Sequence, residues 1–512
     1  MSEKACRLKK GVKWSHNSPQ VLCINEEGDA DSFTEDAPTS AMRTSTPIHF
    51  NIFDRENILF GPEDHVPDES SFLSLSMMAL ADSLPPDEEL TVVQTEDSEN
   101  LEANASDFDK DSTESEPVET PSFCSSPSPY SVWDTDFHKK HMTAVSSDKF
   151  DSLLKMSAEF HSCKSHMAAF VIVREMTDSS GHANNHYQVV ALGSGRFSCT
   201  SWLCFNGTMV HDCHAMTIAR RALQRFLYKQ LLLFFDADPK AKEACIFESS
   251  TVGPQLQLKA KTSLHLYTNQ CPEGVARNFY MRGSAQKSGN PIKLHYHAKG
   301  LLVPAANLNP SHWAAKVCCM SGSDKLFMWT FVGVQGALLS HFIQPLYMTS
   351  MVLGGQKQYC SYLSDITNEC LGDAWEEILP LFYKKYDTIF LCCEEVKPIE
   401  VSSQHDVLSV NWCLGDEDIE VVDSSKGFID HSSPPVSRSG FSSRLCKRAF
   451  YSYFHRVAQL GGHGYLLDLP TYHTVKVEAA VYQTVKEIIK KHFQDNQAGL
   501  WKAKKLVDCF SA

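Results

Sequence analysis

Between Arg55 and Lys139 a single basic residue, Lys110, interrupts a stretch dominated by Ser, Thr, Asp, Glu and Pro. Residues 1–140 hold 29 of the 62 acidic side chains and 10 of the 47 basic ones, a local net charge of −19, so the remainder of the chain carries +4. Such a composition cannot bury enough apolar surface to offset the entropy of ordering its backbone. The expectation is therefore an acidic disordered region over 1–140 and a folded domain over 145–512. One apolar island, SFLSLSMMALADSL from Ser71 to Leu84, reads either as a transient helix or as a segment that folds against a protein partner.

The rest of the composition narrows the setting. No run of about 18 uncharged apolar residues occurs, so no membrane span is expected. The charged start, MSEKACRLKKGVKW, lacks the apolar core of a secretory leader. The 18 cysteines are scattered, several inside apolar runs such as Cys318-Cys319 and Cys392-Cys393. They read as buried thiols of a reducing compartment, the cytoplasm or nucleus. In that setting the sequon Asn206-Gly207-Thr208 is a chance match.

From about residue 145 the pattern predicts ordered elements. AAFVIV (Ala168 to Val173) and YQVVAL (Tyr187 to Leu192) read as two strands joined by a polar loop around Ser179 to Asn185. His214 to Phe235 is a long Leu- and Ala-rich helical run, stopped by the sequence Asp-Ala-Asp-Pro. Ser263 to Asn269 reads as a further strand. DKLFMWTFVGVQGALLSHF, from Asp324, begins a second buried helix, and Gly354-Gly355 ends that region. Strands and helices interleave, which favours an α/β domain.

Zinc-dependent base deaminases hold Zn²⁺ with one His and two Cys, and use a Glu two residues after the His to move protons. HDCHAMTIARRALQRFLY places His214 at a helix start with Ala215 after it, but Met216 stands at the glutamate position.

Here the chain resembles the adenosine deaminases acting on RNA. His214-Ala215 with Arg220-Arg221-Ala222-Leu223 is similar to that family's HAE…RRSL segment. Cys271-Pro272-Glu273-Gly274-Val275-Ala276-Arg277 resembles its S-P-C-G-D-A-R strand end, and Ser321-Gly322-Ser323-Asp324-Lys325 its S-C-S-D-K turn. Val332 to Tyr347, Leu408 to Asp416, Ser443 to Phe450 and Gly499 to Trp501 follow in the family's order. The resemblance covers roughly 145–512 and is strongest to a degenerate germ-cell branch of the family. It implies a cytidine-deaminase-like three-layer α/β core elaborated as in the RNA adenosine deaminase domain.

The same resemblance places Glu273 and Gly322 at the two cysteine positions. Of the metal set only His214 survives as a remnant, and the expectation is that zinc is absent. Cys271, Cys318 and Cys319 lie near the lost positions, although adjacent strand residues point to opposite faces. The alternative for His214 is a helix-terminus histidine satisfied by a backbone group. Without its Glu the site lacks general acid/base catalysis, a contribution of roughly 10²–10⁴-fold.

The family also buries inositol hexakisphosphate. Carried over, that ligand implies Arg220, Arg221, Lys325, Trp329, Gln335, Tyr472, Lys476, Tyr482, Lys486, Trp501 and Lys504. Met328, Ala337 and Ala503 replace an Arg, a Ser and a Glu of the family pattern. Independently, TYHTVKVEAAVYQTVKEIIKK repeats Tyr-x-x-x-Lys, one helical turn apart each time. The alternative reading is a solvated basic helix face with Tyr packed beneath it.

RNA contacts are less legible. The LLVPAANLNPSHW segment is short and unlike the family's base-flipping loop, and residues 1–140 show no basic, alanine-rich helix of a double-stranded RNA-binding domain. The expected function is a catalytically impaired deaminase-like scaffold, RNA-associated or protein-binding, in RNA processing of male germ cells. The alternatives are an active adenosine-to-inosine editing enzyme and a sensor of inositol phosphates.

Overall fold

A computed structural model describes residues 133–511 apart from 178–182, 275–292, 356–359, 362, 365–374, 395–405, 435–440, 496, 500 and 502–504. The acidic region to residue 132, its apolar island, most of the Ser179 to Asn185 loop, the Val275 to Arg277 end of the strand motif and Lys504 lie outside the described residues.

β1 (Met167–Thr177) contains the run AAFVIV, apolar on both faces, which suits a strand covered on both sides. Ala168, Phe170 and Ile172 enter one core, while Ala169, Val171 and Val173 enter another. The first core is closed by α2 (Ala215–Phe234) and the second by α1 (Asp136–Leu153), through Met142 and Phe150. Helix, sheet and helix form the expected three layers.

The sheet has eight strands. The others are β2 (Ala183–Ser194), β5 (Thr262–Thr268), β9 (Ser350–Gly354), β10 (Ile389–Cys393), β11 (Leu408–Cys413), β12 (Glu420–Asp423) and β13 (Phe428–Ile429). Their order is β10-β9-β5-β1-β2-β11-β12-β13. β5, β9 and β10 run parallel and the remaining pairs antiparallel, so the sheet is mixed. A separate three-stranded sheet joins β6 (His295–Ala298), β7 (Leu301–Pro304) and β8 (Cys318–Met320) in the order β7-β6-β8. β3 (Phe247–Ser249) pairs with β4 (Leu256–Leu258).

One boundary differs from the sequence reading. α1 starts at Asp136, capped by the Thr135 side chain, and buries His138 against the sheet, where its ring bonds Tyr187 and Ser350. Folded chain thus extends back at least to Trp133, ahead of residue 145, and was not foreseen because this polar helix carries too weak an apolar period to stand out. Among the described residues, no helix is long and apolar enough to cross a membrane.

Candidate functional site: a metal centre and a buried basic cluster

The first turn of α2 is pressed onto the sheet by two glycines of β2 and its exit. A Cβ on Gly193 would fall 2.3 Å from the Ala219 nitrogen, and one on Gly195 (φ +134°) 2.1 Å from the Cys213 carbonyl. Only glycine permits that approach. The Ala215 N–H then donates to the Gly195 carbonyl (2.8 Å), which fixes His214 as the N-cap residue of α2.

His214 is not satisfied by a backbone group. Its Nδ1 donates to Asp212 Oδ1 at 2.8 Å, which leaves Nε2 to face outward from the pair. Asp212 also pairs with Lys325. Burial opposes ionisation of Asp212, but Lys325 and His214 outweigh it and hold its carboxyl well below the usual carboxylate range. Met216 follows in the first turn, buried in the main core.

The two positions assigned to family cysteines do meet. A Cβ on Gly322 would lie 3.2 Å from Pro272 Cβ and 3.5 Å from the Glu273 nitrogen. Gly322 opens α3 (Gly322–Val332), whose N-cap is Ser321, and the Ser323 N–H donates to the Glu273 carbonyl (2.9 Å).

A third residue, which the sequence reading missed, joins them. His297 projects from β6, and His214, Glu273 and His297 offer ligand atoms that all lie within 4.8 Å of one another. The two imidazole centroids are 4.2 Å apart, and His297 Nδ1 is 3.8 Å from Glu273 Oε2. β6 is held over α3 by the Ser321 N–H to the His295 carbonyl (2.9 Å) and by the His295 N–H to Asp324 Oδ2 (2.7 Å). Burial pushes His297 down to about 3, with His214 acting in the same direction, so its ring is neutral. HYH on a short strand was the available signal, but nothing local says what it faces.

None of the three nearby cysteines belongs to this group. Cys271 Sγ contacts the Pro272 carbonyl and Cys319 Sγ the His211 carbonyl, while Cys318 sits half-buried on β8. The family's His-Cys-Cys set is therefore not rebuilt from sulfur among the described residues.

The second centre gathers most of the residues implied for a polyphosphate. Arg220 stacks on Trp329 (5.1 Å) and Lys486 lies over Tyr482 (5.9 Å) and Trp501 (5.3 Å). Tyr472 and Tyr482 are buried, and Tyr472 stacks on Phe510 (5.1 Å). The repeated Tyr-x-x-x-Lys is split between α5 (Tyr472–Glu478) and α6 (Ala480–Asp495), with a break at Ala479. α4 (Lys447–Leu460) adds Lys447, a residue not assigned from the sequence.

The cations far exceed their anions. Lys447 (2.6 Å) and Lys476 (2.5 Å) share one carboxylate, Asp508. Arg220 and Arg221 donate to the carbonyls of Val334 and Leu445, and among the described residues Lys486 donates to Gln483 Oε1. Burial pushes Lys447 and Lys486 down to about 8 and lowers Arg220; the charge of Lys476 acts with burial on both lysines. A donor set of buried guanidinium, ammonium, phenol and indole groups fits a polyphosphate, which accepts from many donors at once.

Two implied residues have protein partners of their own. Lys325 pairs with Asp212 and donates to Thr217, beside His214. Gln335 places its amide on the Val332 carbonyl, Ser340 and the Leu346 N–H, in a turn that adjoins Arg220.

Comparison with known proteins agrees with this geometry. Residues 191–505 match the family model described as the adenosine-deaminase (editase) domain. The chain is 29% identical over 371 residues to the double-stranded RNA-specific adenosine deaminase of Rattus norvegicus, covering 66% of this chain and 29% of that protein. It is 29% identical over 340 residues to the double-stranded RNA-specific editase B2 of Mus musculus, covering 61% and 43% respectively. The double-stranded RNA-specific editase Adar of Drosophila melanogaster is 26% identical over 380 residues, covering 69% and 52%. These matches span from under a third to about half of the relatives' lengths. Mixed sheet, His214 at the helix start and the order of motifs agree with that match: this chain belongs to the adenosine-deaminase (editase) domain family.

Proposed function

We propose that the chain is a catalytically impaired member of the family that acts as an RNA-associated or protein-binding scaffold in the cytoplasm or nucleus, as in the degenerate germ-cell branch it resembles. The observation that carries this reading is Met216. A thioether in the first turn of α2, two residues from His214, has no proton to give or take where hydrolytic deamination needs one. Glu273 and Gly322 at the cysteine positions support it, since neither offers a thiolate.

The RNA side of the reading is supported by relatives named as double-stranded RNA-specific enzymes. It is also supported by an exposed indole, Trp202, with Lys316 Nζ 3.6 Å from its ring centroid, on the segment that leads into β8. Such a cation and aromatic pair suits stacking on an unpaired base. The basic cluster would hold an inositol polyphosphate as a structural ligand: Arg220, Arg221, Lys447, Lys476 and Lys486 would contact its phosphates, and the ligand would supply the missing negative charge.

The deciding experiment incubates the full chain with double-stranded RNA and reads adenosine-to-inosine conversion by sequencing. The expected result is conversion no higher than in buffer, together with measurable retention of the RNA. Conversion above background would overturn the impaired reading, and loss of RNA retention would leave the protein-binding scaffold alone.

A further inference from the structure

We infer that His214, His297 and Glu273 form a divalent metal site of two imidazoles and one carboxylate, a ligand set different from the family's own. It arises from one residue, His297, that lies outside the family motifs matched in the sequence, and it would stand whether or not the chain binds RNA or deaminates it. A set of two His and one Glu is a known zinc ligand set and leaves a fourth position open.

Three features of the structure converge on this assignment. The three ligand atoms are mutually within 4.8 Å. Around a zinc ion at about 2.0–2.1 Å they would stand about 3.4 Å apart, so the closure required is an ångström or so. Glu273, whose side chain is 45% exposed, has the rotameric freedom to supply it, while His297 is 7% exposed and set in a strand. Asp212 holds His214 Nδ1, presenting Nε2 to the ion in the carboxylate–histidine–metal arrangement that raises ligand basicity. The backbone supports are rigid: His214 is fixed by the Gly195 contact, and His297 by the β6–α3 bonds already described. The competing donor is Cys319, which stands opposite His297 in the antiparallel β6–β8 pair and so shares its face of the strands.

The test uses the full reduced chain, stripped of metal and titrated with Zn²⁺ and then Co²⁺. The expected result is one equivalent bound per chain, a melting point raised by Zn²⁺, and a Co²⁺ spectrum without a sulfur-to-cobalt charge-transfer band. Glu273→Gln, on a half-exposed side chain that is dispensable for the core, lowers affinity at least tenfold, and His297→Gln does the same. Cys319→Ser leaves binding unchanged. No saturable binding would overturn the site, as would a sulfur-to-cobalt band lost in Cys319→Ser. Affinity that survives Glu273→Gln would also overturn it, even if His297→Gln fails to fold.

Discussion

Two buried charge centres hang from the same helix and behave in opposite ways. Farther along α2, Arg225 (3.0 Å) and Lys229 (2.6 Å) close on Asp416, joined by Arg444 (3.3 Å) from the loop before α4. Arg444 also donates to the Asn411 side chain and to the carbonyls of Asn411 and Asp418, so its fork is fully engaged. Burial opposes the charge on Asp416, but Arg444, Arg225 and Lys229 win and hold its carboxyl far below the carboxylate range. Burial likewise opposes the charge on Arg225, and Asp416 wins. In the Arg220–Lys486 cluster burial prevails instead, and Lys447, Lys486 and Arg220 are all pushed down. The lesson concerns convergence. Three cations aimed at one carboxylate, with the remaining donors bonded, make a closed network; in the second cluster Lys447 and Lys476 pair with Asp508, while Arg220, Arg221 and Lys486 bond neutral groups among the described residues, an excess of charge that would suit an anion.

The largest effect expected from breaking this contrast is at Asp416. Asp416→Ala strands Arg225, Lys229 and Arg444 without their carboxylate, and should cost about 3–5 kcal/mol in urea denaturation. Polyphosphate should not restore it. A loss under about 1 kcal/mol would mean that water already solvates these cations.

The second effect is at the open cluster. Lys476→Ala combined with Lys486→Ala should abolish co-purification of an inositol polyphosphate and lower stability by about 3 kcal/mol, the linkage of a ligand held at about 100 times its Kd. Acid-denatured wild type should release the phosphate. An unchanged melting curve with no phosphate released would show a solvated basic face instead.

A smaller and more diagnostic effect comes from pH. Lys447 and Lys486 have folded pKa values of about 8, below the unfolded lysine value of roughly 10.4. Between those values the unfolded chain binds more protons, so stability of the polyphosphate-free protein should rise with pH across that window. The rise is bounded by about 1.4 kcal/mol per pH unit for each lysine. The loaded protein, its lysines paired with phosphate, should lack the rise. Equal slopes for both forms would separate these lysines from the ligand.

The smallest effect should follow removal of residues 1–132, which leaves both centres intact: under about 0.5 kcal/mol, checked by thermal melting. Extending the cut through Leu153 removes the buried Met142, Phe150 and His138 and should lower the melting point by many degrees. A large loss from the shorter cut would place part of the acidic region on the domain.

The main elements were legible because their patterns are local. The AAFVIV run becomes β1 (Met167–Thr177), and the His214 to Phe235 run becomes α2 with His214 at its cap. α1 was obscured because a stripe made of His138, Met142, Ser146 and Phe150 is half polar, and its histidine is satisfied by bonds to Tyr187 and Ser350 and packed on His265, all far along the chain. The repeated Tyr-x-x-x-Lys pointed to a real cluster, yet hid the break at Ala479 that separates its two copies.

The sequence by itself determined that the family's cysteine pair is absent, since Glu273 and Gly322 are not thiols, and that the thioether of Met216 has no proton to move in any fold. Only the tertiary structure decided what stands in its place. His297 reaches His214 across more than eighty residues of chain, Lys325 turns to Asp212, and Asp508 comes to Lys447 and Lys476 from the far end. Residue identity is a local property, whereas the convergence of side chains on one point depends on sheet order and helix docking, which no spacing in the chain encodes.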